Sequence, residues 1–168
     1  MSRSRDGGRT WERPFATALP NNNSSIQCVR LSNGHLAVVF NKSSAADAPE
    51  RRSSLYDEID DGEAAPTAMS APAAATDHRT AFWGAPRAPL TIAISRDGGE
   101  TWPEMRDLEV GDGFCMTNNS KDAKNREFSY PSICQSPDGA LHVSYTYFRQ
   151  YIKHRRFSES WVTGRSAD

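Results

Sequence analysis

No run of apolar residues in this chain is long enough to cross a bilayer, and the opening MSRSRDGG lacks the apolar core of a secretory leader. The chain as written is therefore expected to stay in the cytoplasm, where it is made, with the compartment of a longer parent left open. Cysteine is scarce. Cys28, Cys115 and Cys134 form no C-x-x-C pair and the four histidines are scattered, so no metal pattern is written and no cofactor is expected. The net charge of -1 shows no excess of either sign, which removes the electrostatic case for a nucleic acid or a membrane surface as partner. Apolar residues are also in short supply, at 37% against 24% charged, with a mean hydropathy of -0.69. That is little for a core unless part of the chain is unstructured.

What the chain does have is a repeated turn. Ser95-Arg96-Asp97-Gly98-Gly99-Glu100-Thr101-Trp102 fits the pattern S-x-D-x-G-x-T-W, and Ser4-Arg5-Asp6-Gly7-Gly8-Arg9-Thr10-Trp11 fits it again. The defining residues are Ser4, Asp6, Gly8, Thr10 and Trp11 in one copy and Ser95, Asp97, Gly99, Thr101 and Trp102 in the other. The glycines supply positive φ, and the short oxygens of Ser, Asp and Thr can bond back to the N–H groups of the turn. The Trp can then cover its apolar base. Two full matches exceed chance.

This octet resembles the Asp-box of the sialidase-like superfamily of BNR-repeat proteins. The resemblance implies an all-β fold, a six-bladed β-propeller of four-stranded antiparallel blades, of which this chain supplies about two to two and a half. In that family the box closes the hairpin between the third and fourth strands, on the side away from the active site. It speaks for fold rather than catalysis.

The remaining elements follow from alternation and turn signals. Leu90–Ser95 alternates as a strand, and Ile26–Leu31 with Leu36–Phe40 makes a hairpin around Ser32-Asn33-Gly34-His35. Trp11–Ala18 and Met105–Val110 are expected as outer strands following the two boxes. Tyr130–Gln135 and Leu141–Tyr147 form a second hairpin around Ser136-Pro137-Asp138-Gly139, followed by a strand at Tyr151–Phe157. Ser158-Glu159-Ser160-Trp161 reads as a degenerate box.

Residues 42–80 break the rhythm, being rich in Ala, Ser, Pro and charge with at most a short turn at Leu55–Ile59; a disordered insertion is expected. The acidic group Asp57, Glu58, Asp60 and Asp61 lacks the spacing of a calcium loop. Omitting those 39 residues reduces the 91-residue separation of the boxes to 52, close to one blade of roughly 40–50 residues. The chain thus divides into residues 1–41, ending one blade and opening the next; 42–80, the insertion; 81–110, the rest of that blade with its box; and 111–168, a last, incomplete blade. Only Met1–Arg3 precede the first box, so the chain is expected to open inside a blade and to need N-terminal blades from outside it to close the ring.

The same resemblance implies the site. Sialidases hold the carboxylate of an acidic sugar with arginines, whose planar guanidinium fork matches a carboxylate. Arg87, in Pro86-Arg87-Ala88-Pro89, occupies the place of one of them. Tyr130, in Glu127-Phe128-Ser129-Tyr130-Pro131, falls where the nucleophilic tyrosine of sialidases opens an inner strand. Three positions depart from the family pattern. Ser25 stands where a glutamate activates that tyrosine, Asn41 where a second arginine binds, and Thr146 where a glutamate supports an arginine. Glu127 is the substitute base close in sequence, and Arg126, Arg149 and Lys153 could restore positive charge. Asn22 and Asn23 offer amides to sugar hydroxyls, and Tyr147 offers a stacking face.

The expected function is therefore a sialidase-like glycoside hydrolase of exo-α-sialidase type in a full-length parent, acting on terminal acidic sugars, with this chain inactive alone. A non-catalytic glycan-binding propeller, or a superfamily enzyme with another polysaccharide substrate, is the alternative that the Ser25 and Asn41 departures favour.

Overall fold

A computed structural model of the protein describes residues 1–20, 22–44, 47, 84–115 and 123–164. Nearly all of the expected insertion, its acidic group included, lies outside those residues, as do Asn21 and residues 116–122.

Two antiparallel sheets make up the fold. The first runs β1 (Gln27–Arg30), β2 (Leu36–Asn41), β3 (Leu90–Ser95), β4 (Glu104–Glu109) in that spatial order. The second runs β5 (Phe128–Gln135), β6 (Leu141–Tyr147), β7 (Tyr151–Phe157). Each strand pairs with its sequence neighbour, the up-and-down order of a propeller blade, so the chain is a partial β-propeller without closure.

Alternation explains how the sheets meet. In β3, Leu90, Ile92 and Ile94 face a core shared with Val39 of β2, Phe128 and Ile133 of β5, and Leu141, Val143 and Tyr145 of β6. The opposite face carries Ala93, which packs with Val38, Phe40 and Trp102. Every residue of β3 is consequently buried. Polar clasps join the sheets where apolar contact ends. The Gln135 side-chain oxygen accepts the Ser32 amide at 2.7 Å, that of Gln27 accepts the Ile133 amide, and Glu109 accepts the Tyr145 hydroxyl.

Both boxes close as their composition dictates. Thr101 donates its amide to the Asp97 carboxylate at 2.9 Å and its hydroxyl at 2.5 Å, while the Ser95 hydroxyl accepts the Gly99 amide at 2.8 Å. Asp6, Thr10, Ser4 and Gly8 repeat the pattern. Trp102 is 8% exposed and packs against Val38, Phe40 and Ala93, whereas Trp11 is 65% exposed and donates its indole N–H to the Gly8 carbonyl.

Two expectations are corrected. Trp11–Ala18 is not a strand; the Glu12 amide bonds the Arg3 carbonyl and the Phe15 amide that of Met1, but Pro14 between them has no N–H to continue a ladder. Ser158–Trp161 is not a box either. Ser158 caps a short helix, α1 (Glu159–Thr163), by accepting the Trp161 amide, and Val162 enters the shared core. Glu159 accepts hydrogen bonds from Asn33 at 2.7 Å and His35 at 2.6 Å, which ties α1 to the β1–β2 turn. Among the described residues, no helix is long and apolar enough to cross a membrane.

Candidate functional site

Antiparallel order sends the Ser95–Trp102 turn to one rim, where the Arg3–Glu100 ion pair joins the N-terminal segment to it, and a different set of segments to the other. The end of β2, the approach to β3, the segment after β4, the start of β5 and the β6–β7 turn all lie on that second rim. Arg87, Asn41, Glu127, Tyr130 and Arg149 belong to those segments.

Glu127 is the hub. Its side chain is 0% exposed, and its Oε1 accepts from Arg149 Nε at 2.5 Å and from the Ser129 hydroxyl at 2.8 Å. Arg87 Nη1 lies 3.8 Å from the same oxygen. A buried carboxylate is costly without counter-charge, and here two guanidiniums supply it. Ser129 gives its proton to Glu127 and so accepts from Thr146, 2.6 Å away. Asn125 Oδ1 accepts the Glu127 amide, and the Glu127 carbonyl accepts that of Phe148. Burial alone would lower the Arg149 pKa, but the Glu127 hydrogen bond and charge outweigh it and hold the guanidinium above its ordinary value.

The backbone around Glu127 is strained. Tyr130 has φ +53° at a bulge between Ser129 and Ser132, and Phe148 and Arg149 have φ +55° and +53°. The Gln150 amide bonds the Tyr147 carbonyl, so Phe148 and Arg149 are the central pair of a type I′ turn normally built from Asn and Gly. Non-glycine residues there cost energy that the surrounding contacts must offset. The outcome is that Tyr130 projects outward, 56% exposed, and Arg149 projects inward.

Arg87 lies between them. Its side chain is 15% exposed and its guanidinium stands 5.3 Å from the centre of the Tyr130 ring. Among the described residues, its Nη1 has no hydrogen-bond acceptor, and Glu127 Oε2 has no donor. A strong donor array is thus held next to an exposed phenol with part of its capacity unused.

A family model for the BNR repeat-like domain matches residues 1–143. The chain belongs to that family. BNR repeat-like domains are part of the sialidase superfamily, so the two boxes and the up-and-down sheets are its shared architecture. The match stops before β7 and α1, the part where the expected third box is replaced by a helix. No curated protein matches this BNR repeat-like chain.

The other expected site residues divide by geometry. Arg126 forks onto Asp112, with Nε and Nη2 at 3.0 and 2.6 Å from Oδ2, and lies over Phe114 rather than beside Glu127. Asn22 is 4% exposed and uses its amide on the Pro86 carbonyl and the Ser24 amide, which supports the Arg87 segment from behind. Asn23 is exposed with φ +59°. Tyr147 stacks on Tyr151 at 5.1 Å and contacts Phe128 and Phe148. Lys153 bonds Glu109 at 2.5 Å.

Of the three departures, Ser25 is exposed and Thr146 joins the Ser129 network. Asn41 is buried and donates to the Phe128 carbonyl at 3.0 Å, clasping one sheet to the other. Glu127 differs from its expected placement as the base of Tyr130, because no hydrogen bond joins it to the phenol among the described residues. Its Oε1 is engaged by arginine and serine. What sequence reading missed is the Ser129–Thr146 pair and the type I′ turn, neither of which has a local signature. Among the described residues, no group of three or more His, Cys, Asp and Glu converges as metal ligands would.

Proposed function

We propose that this rim recognises a terminal acidic sugar of the sialic-acid type, with Arg87 pairing to its carboxylate and Tyr130 beside the anomeric carbon. The observation that carries the proposal is the position of the Arg87 guanidinium, with Glu127 on one side and the exposed Tyr130 ring on the other and one donor unpaired among the described residues. The planar guanidinium fork suits a planar anion better than a neutral hydroxyl. In a parent ring with further blades, Tyr130 serves as nucleophile in exo-α-sialidase-type hydrolysis. The phenol gives its proton to a base on another blade as its oxygen bonds the anomeric carbon, the glycosidic C–O bond breaks and the departing oxygen takes a proton from an acid there; water then attacks the anomeric carbon, breaks the Tyr–sugar bond and returns the proton to the phenol.

One observation favours the second reading, a glycan-binding propeller without turnover. Among the described residues, the Tyr130 hydroxyl has no carboxylate partner to accept its proton, and a phenol that keeps its proton is a weak nucleophile.

The two are separated by paired measurements. The 168-residue chain is titrated with N-acetylneuraminic acid and with its methyl ester by NMR. Binding of the acid alone, lost in Arg87→Ala, is expected; equal binding of acid and ester would reject carboxylate recognition. Release of a fluorogenic sialoside by the parent protein, abolished by Tyr130→Phe, selects hydrolysis. Saturable binding without release selects the glycan-binding reading.

A further inference from the structure

We infer that Gly113 is a positioning residue for Arg87, and that the Asp112–Arg126 ion pair is the lock that holds Gly113 in place.

Among the described residues, the Arg87 guanidinium makes only a 3.8 Å ion pair and a ring contact, and these side-chain partners do not fix it firmly. Its backbone is held instead. The Arg87 amide donates to the Gly113 carbonyl at 2.9 Å, and the Arg87 carbonyl accepts from the Phe128 amide at 3.0 Å. The peptide is thus clamped between the segment after β4 and the first residue of β5.

Gly113 has φ +65°, and a Cβ there would stand 2.6 Å from the nitrogens of both Arg87 and Ala88 and 2.7 Å from the Arg87 carbonyl carbon. Those atoms are backbone, so no rotamer change relieves the overlap. Any side chain at 113 must push Arg87 aside. Next to it, Asp112 takes the Arg126 fork, the Phe114 amide bonds the Asp112 carboxylate at 3.2 Å, and the Phe114 carbonyl accepts the Arg126 amide at 2.8 Å. Cys115 donates its thiol to the Ala85 carbonyl at 3.1 Å. The segment 112–115 is therefore pinned to the Arg87 approach on one side and to Arg126 on the other. Arg126 acts on the site through this pin, not by reaching a ligand.

The ligand arm of the test rests on the acidic-sugar reading above; the spectroscopic arm does not. In the 168-residue chain, the Arg87 Nε–H resonance lies near the Tyr130 ring and is sensitive to its displacement. Gly113→Ala and Gly113→Asn are both expected to move that resonance, since Asn tolerates positive φ but still carries the clashing Cβ. Both should lower affinity for N-acetylneuraminic acid about tenfold, a difference equivalent to about 1.4 kcal/mol. Asp112→Asn, at an exposed ion pair that folding tolerates, should broaden the resonance and weaken acid binding two- to threefold. If the wild-type chain binds no acid, the sugar reading fails while the resonance still tests the clamp. Folded Gly113 variants with an unmoved Arg87 resonance, or an Asp112→Asn chain with an unchanged one, would overturn the inference.

Discussion

Tyr130 combines a costly backbone with an exposed ring, and no core contact among the described residues accounts for that combination. A tyrosine at positive φ costs on the order of 1 kcal/mol or more, and Asn is the side chain that best tolerates the same region. Tyr130→Asn is accordingly expected to keep the unfolding free energy or raise it by up to about 1 kcal/mol while removing the phenol. Urea unfolding of the two chains checks this, and a loss above about 1 kcal/mol would show that the ring itself holds the rim together. At this scale the sequence was partly readable. Arg87 and Tyr130 carry motif contexts that survive in one dimension. The Glu127–Arg149 bond does not, because it depends on a bulge, on a turn built from Phe148 and Arg149, and on partners 22 positions apart. Asn41 shows the same limit. Read against the family it is a missing charge, yet its amide joins the two sheets through a carbonyl 87 residues away.

The box turns are the elements most clearly written in the sequence, since each bond in them spans four residues or fewer. Composition alone predicts their hydrogen bonds, and also their response to acid. The Thr10 hydroxyl, the Thr10 amide and the Ser4 hydroxyl hold the Asp6 carboxyl at about 2, below its ordinary 3.8; Asp97 is lowered in the same way by Thr101 and Ser95. A depressed carboxyl stabilises the folded turn above its unfolded pKa and loses that contribution as pH falls through the folded value. The first turn should therefore stay closed above pH 3.8 and open as pH falls toward about 2, with the second opening at lower pH still, visible as shifts of the Thr10 and Thr101 amides. Asp6→Asn should erase the step at Thr10 and spare that at Thr101; loss of both together would mean that global unfolding precedes the local event. Where an element imitates this code without its chemistry, reading fails. Ser158–Trp161 has the Ser and Trp of a box but neither the Asp nor the Gly-Gly, and burial of Val162 with the Ser158 cap makes it a helix.

Across the whole molecule, the two sheets share one core, so neither should melt alone. Leu141, 0% exposed, packs among residues of both. Leu141→Ala is expected to cost about 2–5 kcal/mol and to lower hydrogen-exchange protection at Val39 in β2 and Val143 in β6 by the same factor. Protection lost at Val143 alone would show two separately folding blades. Alternation and turn signals made the sheets legible, because a blade is built from neighbouring strands. Their docking was not, since Gln27, Gln135 and Asn41 look like surface amides until the second sheet is beside them.

Strand β3 starts just after Arg87 and ends in a box, and six residues at about 3.3 Å each place the two rims about 20 Å apart. That separation permits oriented capture. A chain anchored to a sensor surface through Arg9, exposed in the first box, would turn its box rim to the support and leave Arg87 and Tyr130 facing the solution. The same chain anchored through Tyr151, exposed beside the β6–β7 turn, would bring the ligand rim against the support.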